Sequence, residues 1–106
     1  MRHIISLSGH ILENIIYFEL LRRGYDVAIG KIDSKEVDFI ATKTDEKKYI
    51  QVTETMAAPE TRERELAPLR MIRDNYEKIV LVGDSENKLT EDGIKIRKLT
   101  DFLLEE

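Results

Sequence analysis

Residues 36–54, EVDFIATKTDEKKYIQVTE, decide the fold. Two runs rich in Val, Ile, Phe and Tyr flank a polar turn at residues 43–46, the pattern of two strands joined by a tight connection. Strand alternation puts Glu36, Asp38 and Ile40 on one face and Val37, Phe39 and Ala41 on the other. In the second run Tyr49, Gln51 and Thr53 share a face, and Ile50 and Val52 share the opposite one. If the turn pairs Thr42 with Lys47, Asp38 lies across from Gln51 and Glu36 across from Thr53, all on one face. A polar cluster is thus expected where inward-facing apolar side chains would ordinarily stand. The plain alternative is a cross-strand polar pair on a solvated face.

Outward from this unit, residues 8–24 (SGHILENIIYFELLRRG) have helical spacing. Ser8 is placed to cap the helix, Ile11, Leu12, Ile15, Ile16, Leu20 and Leu21 form a broad apolar face, and Gly24 follows a basic last turn. Residues 25–31, 35–42 and 48–53 read as strands. Residues 59–76 (PETRERELAPLRMIRDNY) have helical spacing through Leu66, Leu69, Ile72 and Tyr76, with Pro68 predicting a kink or break near Ala67. KIVLV (78–82) is continuously apolar, as in a strand buried on both faces. Residues 83–89 read as a loop, 93–98 as an alternating strand and 99–106 as a short terminal helix. The order is helix, three strands, helix, strand, strand, short helix. It predicts one α/β domain over residues 1–106, a central mixed sheet with helices on its faces.

Composition narrows the chemistry. Of 106 residues, 42% are hydrophobic and 36% charged, a balance suited to a packed core. Without cysteine there is neither a disulfide scaffold nor a thiolate metal site. Two histidines exclude a multi-histidine zinc cage within one chain. No apolar run reaches the length of a membrane span and no signal-peptide layout opens the sequence, so a cytoplasmic location without a membrane partner is the expectation. The net charge of −4 gives no general attraction to nucleic acid, and a DNA contact would require a local basic patch.

Glu13 borders the apolar face of the first helix, next to His10, Ile16 and Tyr17 on the helical surface. A half-buried carboxylate there needs a partner, a metal or a proton. His10 reads as a residue of the helix start, ETRERE (60–65) as a solvated first turn with acids near the helix dipole, and the four tyrosines as core edges.

The ordered set LEN…YFELLRRGYDV, EVDFIA, YIQVTETM, TRERELAPL…IRDNYEKIVL and DGIKI…DFLL resembles, over nearly the whole chain, a C-terminal domain of unknown function. That domain follows the nucleotide-binding module of prokaryotic P-loop ATPases. Its members are similar in fold to the PD-(D/E)XK, or restriction-endonuclease-like, phosphodiesterases. In active members a helix glutamate, a strand aspartate and an E-x-K hold Mg²⁺ and position water. Carried over by position, the resemblance assigns Glu13 to the helix acid, Asp38 to the strand acid, Gln51 to the E-x-K acid and Thr53 to its lysine. The last two depart from the pattern. Glu13, Asp38 and the Gln51 carbonyl would be the ligands of any Mg²⁺, and Arg62 or Arg64 the stand-in for the lysine. Losing a positioned cation commonly costs about 100- to 1000-fold in rate. The chain contains no P-loop of its own. The resemblance thus implies a non-catalytic accessory domain of an ATPase system, touching an ATPase domain, another protein or DNA. Its alternatives are a weak Mg²⁺-dependent phosphodiesterase and a self-associating domain that forms a homodimer.

Overall fold

The computed structural model describes residues 8–32, 34–83 and 89–105. Along the chain these form α1 (Ser8–Arg22), β1 (Asp26–Ile32), β2 (Lys35–Lys43), β3 (Glu46–Thr53), α2 (Pro59–Arg70), β4 (Glu77–Val82), β5 (Leu89–Glu91), β6 (Ile94–Lys98) and α3 (Leu99–Leu104). The strands make one sheet in the order β1-β2-β3-β4-β6-β5. Neighbours β1–β2–β3 run antiparallel, β3–β4 and β4–β6 parallel, and β5–β6 antiparallel. This is the α/β class with a mixed sheet and flanking helices that the element order predicts.

Two cores sandwich the sheet. Ile16 and Leu20 of α1 and Phe102 of α3 pack on Phe39, Ala41, Ile50, Val52, Ile79 and Leu81. Leu66 and Leu69 of α2 cover Val37, Tyr49, Val80, Val82, Ile94 and Ile96. β4 therefore buries Ile79, Val80, Leu81 and Val82 alternately in both cores. That is why its run is continuously apolar.

The structure departs from the sequence reading in four places. On α1 the buried face is narrower, with Ile16 and Leu20 inside and Leu12 and Tyr17 partly covered. Ile11, Ile15 and Leu21 join Phe18 on the outer side. Pro68 does not break α2 at Ala67, but the helix ends at Arg70, short of the Ile72 and Tyr76 that the spacing includes. The proline stands in the last turn, where its missing N–H removes one bond from a helix about to end, and Met71 and Ile72 close that end by donating to the carbonyls of Pro68 and Leu69. Residues 89–91, where the sequence predicts loop at Leu89 and no element at Thr90 and Glu91, form β5, joined to β6 by an Asp92-Gly93 turn with φ of 54° and 79°. An Asp-Gly pair suits a two-residue turn that needs positive φ at both positions. Residues 84–88 of the predicted loop, and the side chain of Ser8 that would cap α1, lie outside what is described.

The fourth departure concerns the opening stretch. Between the pairs Ala28↔Ile40 and Gly30↔Val37, β1 advances two residues while β2 advances three. β2 thus carries a bulge at Asp38–Phe39 opposite Ile29. The extra residue shifts the alternation, so Val37 joins Ile40 on the α2 side while Phe39 and Ala41 face α1. Strict alternation would have put Val37 with Phe39. Bulges bend a strand and re-aim its side chains, and here the residue re-aimed is Asp38.

Candidate functional site

The β2–β3 ladder follows the expected register from Lys43↔Glu46 through Thr42↔Lys47 to Phe39↔Ile50. Continued by one step it would pair Asp38 with Gln51. At that step side chains take over from the backbone. The Asp38 N–H donates to Gln51 Oε1 at 2.8 Å, and the Val52 N–H donates to Asp38 Oδ2 at 2.9 Å. Beyond the bulge the strands separate, and each strand's orphaned amide is answered by a side chain of the other. Gln51 extends the link to α2, its Nε2 donating to the Glu65 carbonyl at 3.0 Å. The amide of this buried residue is thus used on both sides.

Thr53, in the lysine position, is also buried, and its hydroxyl donates to the Thr55 carbonyl at 3.1 Å. Thr55 Oγ1 in turn accepts from the Ala57 N–H, which shapes the turn leading into α2. Arg62 pairs with Glu91 on β5. Arg64 is largely exposed, with its Nε 3.9 Å from Glu65 Oε2.

Sequence reasoning missed Glu65. Its side chain is only 14% exposed, and burial, then the Asp38 charge, push its carboxyl up to about 7, with Glu13 adding to the rise and Arg64 opposing it. The structure therefore brings Glu13 of α1, Asp38 of the bulge and Glu65 of α2 into one electrostatic neighbourhood. The helical spacing held a signal for this, since Glu65 sits one turn before the buried Leu69. Next to Glu13 on the helix, His10 has a buried Nδ1 without a hydrogen bond among the described residues.

These groups do not fit a Mg²⁺ ion as they stand. Among the described residues no three His, Asp or Glu side chains are grouped so that they could hold a metal, and Gln51, meant to supply a carbonyl oxygen, points that oxygen at the Asp38 amide. What the arrangement does chemically is fasten β2, β3 and α2 together and hold a proton on Glu65 near neutral pH.

No family model matches this chain, and no solved structure does. A curated relative, an uncharacterized protein of Haemophilus influenzae, is 45% identical over 108 residues. The match covers 98% of this chain and 26% of that protein, so the chain spans about a quarter of the length of the curated relative it matches. No helix among the described residues is long and apolar enough to cross a membrane.

Proposed function

We propose that this chain is a non-catalytic accessory module of a longer protein and, following the resemblance above, of a P-loop ATPase system. One observation carries the reading: the polar atoms that would serve catalysis are engaged in holding the fold. Gln51 bridges Asp38 and Glu65, Asp38 Oδ2 accepts from Val52, Thr53 closes a turn and Arg62 is paired with Glu91. The match to a quarter of a longer relative fits a module of a larger chain. Ile11, Ile15, Phe18 and Leu21 provide the contact face along α1, with Phe18 64% exposed. Apolar residues grouped in this way mark interaction surfaces, and another domain of the same polypeptide is the occupant we assign.

The test combines calorimetry and cleavage. Mg²⁺ and Mn²⁺ should give no binding heat, and plasmid or single-stranded DNA should stay intact. Metal-dependent nicking that disappears in Asp38→Ala would sink the reading. The double change Gln51→Glu, Thr53→Lys should create no cleavage. In sizing experiments the isolated chain should run as a monomer. A dimer dissolved by Phe18→Glu would move the assignment to self-association.

A second reading, a weak Mg²⁺-dependent phosphodiesterase, would need Glu13, Asp38 and Glu65, which sense one another's charge, to close around an ion that their described arrangement does not group them to hold. It predicts Mn²⁺ binding that Glu65→Gln removes while Gln51→Ala leaves it in place.

A further inference from the structure

On the opposite side of the sheet from α2, an open cavity of about 720 Å³ lies between the end of α1, the strands and α3. Six cations line it, Arg22, Arg23, Lys43, Lys48, Lys95 and Arg97, against three carboxylates, Glu46, Glu77 and Glu105. The whole chain carries a net charge of −4, so positive charge is concentrated here against the overall balance. The carboxylates are shared thinly. Glu77 alone serves both Lys48 at 2.7 Å and Lys95 at 2.8 Å, and Glu19, just behind the rim, serves both Arg22 and Arg23. Lys43 has no carboxylate partner among the described residues and lies 4.3 Å over the Tyr25 ring.

The deepest cation is the most telling. Arg97 on β6 is 9% exposed, and its Nε is buried without a hydrogen-bond partner among the described residues. Its Nη2 holds Glu105 Oε2 at 2.5 Å. Glu105 follows the last turn of α3 and its side chain is 47% exposed. A guanidinium offers a planar fork of donors. Here one branch meets the carboxylate of the residue that follows α3, and the Nε–H finds no acceptor among the described residues. Glu105 sits where an incoming anion would sit, and a group with several acceptor oxygens would satisfy both branches. Few apolar side chains line the cavity, which argues for a small polar ligand of a size such pockets take.

We propose that this cavity binds a phosphate-bearing anion, of pyrophosphate or nucleoside-diphosphate size, gripped by Arg97 with Lys48 and Lys95 around it. The ligand displaces Glu105 from Arg97 and supplies an acceptor for the Nε–H. This site faces away from Asp38 and Gln51, so the accessory-module reading stands or falls separately.

Calorimetry on the whole chain with inorganic phosphate, pyrophosphate and ADP tests it. Pyrophosphate should bind. Lys48→Ala should weaken binding about tenfold, the usual scale for one charge-assisted contact. Lys35→Ala removes the same charge outside the cavity and should leave binding unchanged. Arg97→Lys keeps the charge but loses the fork and should weaken binding as strongly, with circular dichroism confirming its fold. Lys48→Ala carries the test if Arg97→Lys does not fold. Tighter binding of ADP than of pyrophosphate assigns a nucleotide as the source of the phosphate, and equal binding assigns a free phosphate species. Three results would overturn the proposal: no heat from pyrophosphate or ADP at millimolar concentration, heat from citrate or single-stranded DNA alone, or equal losses in Lys35→Ala and Lys48→Ala.

Discussion

At the scale of single residues, Gln51 meets two opposite demands: the Asp38 amide needs an acceptor and the Glu65 carbonyl needs a donor. Only a side chain carrying both can sit between them. Gln51→Glu would turn one end into a carboxylate facing a carbonyl, close to the Asp38 carboxylate. It should destabilise the fold by about 2–3 kcal/mol at neutral pH, the cost of a buried polar contact turned repulsive, and urea denaturation would measure it. The departure from the E-x-K pattern was therefore legible in the sequence, but its purpose was not, because the partner carbonyl belongs to a helix distant in the chain. Glu65 was hidden for a related reason. Within ETRERE it looks like any acid of a solvated turn, and only the packing of α2 on the bulge puts it under cover. Its folded pKa of about 7 lies above the ordinary value of 4.5, chiefly through burial and then the Asp38 charge. The raised value means that its contribution is best while protonated and is lost as pH rises from about 4.5 to about 7. Glu65→Gln should thus stabilise the chain by up to about 3 kcal/mol at pH 8, with little gain below pH 4.5. Melting curves at the two pH values would show whether it does.

At the scale of elements, the bulge in β2 governs the site, and its counterpart is Gly30 on β1. A Cβ at Gly30 would stand 2.6 Å from Ile40 Cδ1 and 3.3 Å from Val37 Cβ, the two residues that the bulge brings to one face. Gly30→Ala should cost about 1–3 kcal/mol, the range for overpacking, and a lower denaturant midpoint with an unchanged slope would register it. Periodicity located five of the six strands among the described residues because each carries apolar side chains into a core. It missed β5, whose Leu89, Thr90 and Glu91 are mostly exposed and whose presence is signalled only by the Asp-Gly turn. Periodicity also overstated the buried face of α1. Ile11, Ile15 and Leu21 have the right spacing, but one sheet face covers only a narrow stripe of a helix, and no described element lies over the remainder.

At the scale of the whole molecule, charge sets a stability optimum. The bonds from Arg22 and Arg23 hold Glu19 down at about 2, and the bond from Arg97 lowers Glu105. A depressed carboxylate contributes stability above its ordinary pKa and loses it as pH falls through the folded value. For Glu19 that window runs from 4.5 down to about 2. With Glu65 acting in the other direction, these groups place the maximum at about pH 4.5, where the two windows meet, and a pH series of thermal melts should trace a dome around it. The order of the strands has a further consequence, for the timescales on which the molecule opens. β1, β2 and β3 meet through short local connections, whereas β4 is bonded on both sides to parallel neighbours reached only by longer excursions of the chain. Local pairings close early and distant ones late. The amide hydrogens of Ile79, Val80, Leu81 and Val82 should therefore trade with deuterium only when the entire domain comes apart, so this one strand reports the global free energy of unfolding.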